Sequence, residues 1–183
     1  MAVDGSGSVK VVLTATDESE QAIRAVNMAA SIAGKFDSKL VIVSALQFDE
    51  LSPDEIKFAE NEFHDQLSDE LRSFDPGTPV PSGISLGQQL THQATLSRAV
   101  HNLLGERRLN NAEARAKSAG AKRISTMLLE GDPATEIVEA ATSANADLIV
   151  VGRRGRGRTA SMLLGSVSAR VIELSSGPVM TVP

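Results

Sequence analysis

The chain has no cysteine, which excludes disulfides, thiolate metal sites, iron–sulfur ligation and cysteine nucleophiles together. It also has neither tryptophan nor tyrosine, and aromatic residues make up only 3% of it. Stacking platforms for the bases of a single-stranded nucleic acid are therefore scarce. A net charge of −5 and an isoelectric point near 5.2 argue against a bulk polyanion as partner, although arginines gathered in one loop can still hold an anion locally. No apolar run approaches the roughly 20 residues that a membrane span needs. The first ten residues carry Asp4 among glycines and serines, where a secretory signal would place a basic segment and then an apolar one. The expectation is a soluble, cytoplasmic protein with no nucleic-acid or membrane partner.

With 183 residues, 42% of them hydrophobic and 22% charged, the chain fits one globular domain with a real core. Residues 1–8 lack periodicity and read as a disordered leader, and residues 9–183 read as the domain. Val9–Ala15 is the first strand candidate. Thr16-Asp17-Glu18-Ser19-Glu20 then has the pattern of a capping box led by Asp17, ahead of Ala22, Ile23, Val26, Ala30 and Ala33 at helical spacing. Gly34 is placed to close that helix. Lys39–Leu46 is apolar and β-branched without alternation, as in a parallel strand covered on both faces. The stretch 52–120 is longer and less regular. It reads as a helix from Ser52-Pro53 through Leu71, a Pro- and Gly-rich loop over Phe74–Thr91, and a helix over Thr95–Ala119 closed by Gly120. Lys122–Leu129 is a strand, Asp132-Pro133 opens a helix with Ile137, Val138 and Ala141 buried, and Ala146–Val151 is the fourth strand. Ser166–Leu174 is the last helix, and Gly177-Pro178 turns into a short strand over Val179–Val182.

Alternation of this kind predicts an α/β fold: a single open five-stranded, mostly parallel sheet with right-handed crossovers and helices on both faces. Ligands of such sheets sit beyond the carboxyl ends of the strands. That rule gathers Ala15–Asp17, Ala45, Gly131 and Val151–Arg154 on one edge. Beyond the fourth strand, Gly152, Gly155 and Gly157 alternate with Arg153, Arg154, Arg156 and Arg158, and Gly165-Ser166 opens the last helix. Glycines let backbone N–H groups approach a ligand, and a helix start adds free donors and a positive dipole end, so the arrangement suits a phosphate.

Two familiar glycine signatures fail here. Gly155 to Ala160 fits G-x-G-x-x-[GA], but it lies too near the end of the chain to be followed by a second strand with its acidic residue. Gly152 to Thr159 fits a phosphate loop only with Arg158 where the lysine's point charge belongs. His64, His92 and His101 do not fall at metal-ligand spacing, and no G-x-S-x-G elbow is present, so neither a metal site nor a catalytic triad is expected. Asp132 reads as a helix cap rather than as an orienter of a metal-bound phosphate. Asp17 could be a helix cap as well, but its place at a strand's carboxyl end beside the glycine loop favours a ligand role.

The whole stretch Gly152-x-x-Gly155, nine residues, Gly165-Ser166 resembles the ATP-binding signature G-x2-G-x9-G-[ST] of the universal stress protein family. Thr16-Asp17-x-Ser19, Gly131-Asp132-Pro133, the strand Ala146–Gly152 and the closing Gly177-Pro178-Val179 are similar to that family too. The resemblance spans nearly all of Val9–Val182 and weakens between Ser52 and Gly120. It implies a Rossmann-like fold of the adenine nucleotide alpha hydrolase type and ATP as ligand, with Mg2+ held through the phosphates. It further implies that Asp17 bonds the ribose while Ala15, Thr16 and Ala45 border the adenine. Gly152, Arg154 and Gly155 would follow the ribose and α-phosphate, Val151 would belong to the same nucleotide site, and Gly165, Ser166, Val167 and Ser168 would cradle the outer phosphates. A homodimer through the strand 179–182 is implied as well. The expected function is an ATP-binding stress-response regulator whose nucleotide occupancy changes stability or partner choice. The alternatives are a slow ATPase or related nucleotide-handling enzyme, and a nucleotide-independent interaction module.

Overall fold

The computed structural model describes residues 9–46, 86–154 and 164–183, with side chains from residue 97 onward in the helix that begins at Leu86. Its elements run β1 (Val11–Ala15), α1 (Glu20–Phe36), β2 (Lys39–Leu46), α2 (Leu86–Ser118), β3 (Arg123–Glu130), α3 (Pro133–Ser143), β4 (Leu148–Gly152), α4 (Ser166–Leu174) and β5 (Val179–Val182). The expected helix from Ser52 and most of the Pro/Gly-rich loop lie outside the described residues. Leu86–Thr91, expected as the end of that loop, is helical. Two compact units divide the chain: Met1–Leu46 with Glu106–Pro183, and Gln47–Gly105. In the second unit, Val100, His101 and Leu104 are buried, and His101 Nδ1 lies 2.7 Å from the Ser97 carbonyl one turn earlier.

The first unit is built on a five-stranded sheet of order β3-β2-β1-β4-β5 in which every pairing is parallel. The three central strands β2, β1 and β4 are covered on both faces, which is why they read as largely apolar runs, whereas the edge strands β3 and β5 keep exposed positions such as Met127 and Met180. Alternate side chains serve opposite cores. Val12, Leu40, Ile42 and Val150 pack with α1 and with Leu109, Ala112 and Ala116 of α2. Leu13, Val41, Val43, Ile149 and Val151 pack with Ala134, Ile137 and Ala141 of α3 and Val171 of α4. Thr14 and Ser44 are fully buried, and among the described residues neither hydroxyl has a hydrogen-bond partner.

Local chemistry sets the boundaries, sometimes through residues other than those the pattern suggests. The cap of α1 is Ser19, whose side chain accepts from the Ala22 N–H at 3.2 Å, so Asp17 stands outside the helix. The helix runs past Gly34 to Phe36 and ends at Asp37, which takes the left-handed conformation (φ 52°) that a short polar side chain tolerates. Gly34 instead answers a packing demand, because a Cβ there would lie 2.6 Å from the Gly120 carbonyl oxygen. Asp132 caps α3 as expected, with Pro133 at the helix start. Asp147 ties the starts of β4 and β1 together by accepting from the N–H groups of Lys10 (2.7 Å) and Val11 (2.9 Å). No described helix is long and apolar enough to cross a membrane.

Candidate functional site

Strand order reverses at β1: the chain steps outward to β2 and β3 on one side, and β4 and β5 lie on the other. The crevice at such a switch point, beyond the carboxyl ends of β1 and β4, is where an open α/β sheet binds its ligand. Two connections border it. They are the turn Thr16–Ser19 after β1 and the segment that leaves β4 at Gly152.

The first connection is tightly specified. The Thr16 N–H donates to the Val43 carbonyl at 2.9 Å, extending the β1·β2 pairing past the strand's end. The Glu18 N–H donates to Thr16 Oγ1 at 3.2 Å, and the Ser19 N–H to Asp17 Oδ1 at 2.9 Å. These side-chain acceptors close the turn in the manner of Asx and Ser/Thr motifs. Glu18 occupies the left-handed region with φ of 62°.

The second connection returns to its own strand. After Gly152 the Arg153 N–H donates to the Val182 carbonyl at 2.6 Å, and the Gly165 N–H donates back to the Arg153 carbonyl at 2.8 Å. Ser168 is buried, and its hydroxyl donates to the Gly152 carbonyl at 2.6 Å. The start of α4 is thereby fixed against the end of β4. Gly165 is the N-cap residue and contributes no side-chain cap, so the first-turn N–H groups keep the donor capacity that a cap would have absorbed.

Gly152 itself is demanded by packing. A Cβ on it would lie 2.8 Å from the Gln21 carbonyl carbon and 2.9 Å from the Ala22 nitrogen, both backbone atoms of α1's first turn. Arg154 is half-buried, and its Nε is shielded from solvent with no hydrogen-bond partner among the described residues. A buried donor on a charged group is costly unless something accepts from it.

The residues expected at the site fall into three groups. Ala15, Ala45 and Val151 sit at or near the ends of three neighbouring strands on the face that α3 and α4 cover. Thr16, Asp17, Gly152 and Arg154 follow the ends of β1 and β4, and Gly165, Ser166, Val167 and Ser168 form the start of α4. Gly155, Gly157, Arg156 and Arg158 lie outside the described residues. Within the α4 group the roles divide: Ser166 is exposed, while the Ser168 hydroxyl proton is engaged by Gly152.

Asp132 lies past the end of β3. Its Oδ2 accepts from the N–H and hydroxyl of Thr135, and its Oδ1 from Arg170 of α4 at 2.7 Å. The Thr135 hydrogen bonds first, and the Arg170 charge after them, hold its carboxyl below the ordinary range. Among the described residues no three His, Asp or Glu side chains converge as a metal site. Sequence reasoning passed over Glu18, Arg107, Asn111 and Arg170, because their partners lie on elements distant in the chain.

Comparison with known proteins gives a consistent result. Residues 8–183 match the model of the Universal stress protein family. A universal stress protein of Mycobacterium tuberculosis is 32% identical over 164 residues, covering 88% of each chain. Among solved structures, the crystal structure of a universal stress protein in complex with cAMP is 27% identical, with a TM-score of 0.56 over 96% of this chain and 97% of that one. A universal stress protein from Archaeoglobus fulgidus in complex with dAMP, at 17% identity and a TM-score of 0.54, covers 96% of this chain and 98% of its own and shares the fold.

Proposed function

The chain belongs to the universal stress protein family, and from that premise we propose that it is an ATP-binding regulatory protein whose nucleotide occupancy changes its stability or choice of partner. The observation that carries this reading is the start of α4. Its glycine N-cap supplies no side-chain acceptor to the first-turn donors, and it is pinned to the end of β4 beside the switch point of the sheet. A helix N-terminus so placed holds phosphate oxygens. In this reading the N–H groups of Ser166 and Val167 and the Ser166 hydroxyl take the outer phosphates, with Ser168 fixing the helix that presents them. The shielded Nε of Arg154 gains an acceptor in the phosphate chain. Asp17 bonds the ribose, and Ala15, Thr16 and Ala45 border the adenine, with Gly155 completing the phosphate path. Mg2+ enters with the nucleotide, held by its phosphates. The relative crystallised with cAMP supports an adenine nucleotide as the ligand class.

Calorimetric titration of Mg-ATP against the wild type and a Gly155→Val/Ser166→Ala double variant tests the reading. Saturable binding by the wild type and its loss in the variant are expected. A wild type that fails to bind at millimolar ATP overturns it. Product analysis of the same mixtures separates a regulator from an enzyme, and the expected result is no multiple turnover within minutes.

We also propose that β5, an edge strand with Met180 exposed, pairs with the same strand of a second copy. An uncovered edge is otherwise a template for uncontrolled pairing. Sedimentation equilibrium should give twice the 19.3 kDa chain mass, and Met180→Lys should shift it to the monomer. A monomeric wild type at micromolar concentration would rule the pairing out.

A further inference from the structure

Glu18 is the residue of the site that local preference does not explain. Its left-handed backbone (φ 62°) suits glycine or a short polar residue that can bond its own backbone, and glutamate is neither. Its main chain is tied locally, through the Glu18 N–H on Thr16 Oγ1, while its side chain is held from elsewhere in the chain. The side chain is 22% exposed, and each carboxylate oxygen accepts a hydrogen bond from α2: Oε1 from Asn111 Nδ2 at 2.8 Å and Oε2 from Arg107 Nη2 at 3.3 Å. Arg107 and Asn111 are four residues apart and so lie on one face of the helix, a turn from each other. Glu18 is flanked by Asp17 and Ser19, whose turn is closed by the Ser19 N–H on Asp17 Oδ1.

We propose that Glu18 is a positioning residue for the nucleotide, and that the grip of Arg107 and Asn111 on its carboxylate couples nucleotide occupancy to the order of residues 106–118 of α2. The inference rests on the ATP-binding reading and deepens it. Released from that grip, residue 18 relaxes toward negative φ, which rotates the Asp17–Glu18 peptide and turns the Asp17 carboxylate away from the ligand. The coupling runs both ways: a helix segment that stabilises the binding conformation of the turn is itself stabilised when the ligand binds. Residues 106–118 thus become the part of the first unit that registers whether the site is filled.

The test compares ATP with inorganic tripolyphosphate, which has phosphates but no sugar for Asp17 to meet. Calorimetry on wild type, Glu18→Ala, Glu18→Gln and an Arg107→Met/Asn111→Leu double variant should show ATP affinity falling about tenfold in the alanine and double variants. Tripolyphosphate affinity should stay at the wild-type value in all of them. Glu18→Gln keeps an accepting oxygen and should retain most of the ATP affinity. The double variant leaves residue 18 itself intact, so a folding defect in Glu18→Ala does not decide the outcome. Hydrogen exchange should show amides of residues 106–118 slowing on ATP addition in the wild type and not in the double variant. ATP affinity unchanged in both variants overturns the proposal, as does an equal loss of ATP and tripolyphosphate affinity, which would mark a merely structural role. A wild type that does not bind ATP removes the functional reading and this inference together, whereas wild-type binding with insensitive variants removes this inference alone.

Discussion

Gly152→Ala isolates a close approach of two backbones beside the candidate site. The added Cβ would stand 2.8 Å from the Gln21 carbonyl carbon, 2.9 Å from the Ala22 nitrogen and 3.0 Å from Gln21 Cβ. Two of these three atoms are main chain of the first turn of α1, so no side chain can swing aside to admit the methyl group. Either the end of β4 or the start of α1 must move. Forcing a methyl group into a packed site costs about 1–3 kcal/mol. For a chain of this size each kcal/mol lowers Tm by about 2–4 °C, so the variant should melt about 2–12 °C below the wild type. Affinity should fall as well. The Gly152 carbonyl accepts from Ser168, and Ser19, the cap of α1, adjoins Asp17, so a shift on either side disturbs one wall of the crevice. Differential scanning calorimetry with and without ATP reads both effects. Gly177→Ala serves as control, since a Cβ there meets nothing within 4 Å among the described residues, and it should stay within about 0.5 kcal/mol of wild type. A Gly152→Ala protein that melts within about 1 °C of wild type would refute the close approach and with it the packing account of this glycine.

Ser168→Ala removes the 2.6 Å bond to the Gly152 carbonyl and should cost about 1 kcal/mol in urea unfolding, with weaker ATP binding because the start of α4 is no longer tied to β4. Thr14→Val replaces a fully buried hydroxyl, without a hydrogen-bond partner among the described residues, by a methyl group of similar shape. It should raise stability by about 1 kcal/mol, seen as a higher urea midpoint at unchanged slope. Asp132→Ala should be less stable than wild type, and the gap should depend on pH. The folded carboxyl titrates below its ordinary 3.8, so its contribution is complete above that pH and is lost as pH falls through the lowered folded value. Unfolding of both proteins at pH 6 and at successively lower pH below 3.8 checks this, and a gap that widens on acidification would contradict it.

Much of this molecule was legible in its order of residues. The apolar run at Lys39–Leu46 gave a strand with those bounds, because a parallel strand covered on both faces reads as continuous apolar residues, and Gly177-Pro178 set the start of the short edge strand Val179–Val182. Asp132-Pro133 opened α3 because a cap and a fixed φ act within one turn. The start of the first helix was harder. Thr16, Asp17 and Ser19 are all competent caps, and only the direction in which the chain leaves β1 made Ser19 the one whose side chain reaches the Ala22 N–H. Gly34 looked like a helix end by residue type, and the helix ignored it, since α1 needed a surface without a Cβ where the Gly120 carbonyl passes.

The sequence by itself determined the fold class and the resemblance to the family, and it raised the expectation of a ligand at the carboxyl edge of the sheet beside the spacing Gly152–Gly155–Gly165–Ser166. These follow from short-range rules: periodicity, capping and the conformational freedom of glycine. The tertiary structure alone decided what individual residues of that edge do. Gly152 is a glycine because α1 passes against it, the Ser168 hydroxyl is directed to a strand carbonyl, and the Glu18 carboxylate is held by two side chains some ninety positions away. Contacts between residues that far apart leave no periodic trace in the chain, because they are set by how the layers meet rather than by any single turn or strand.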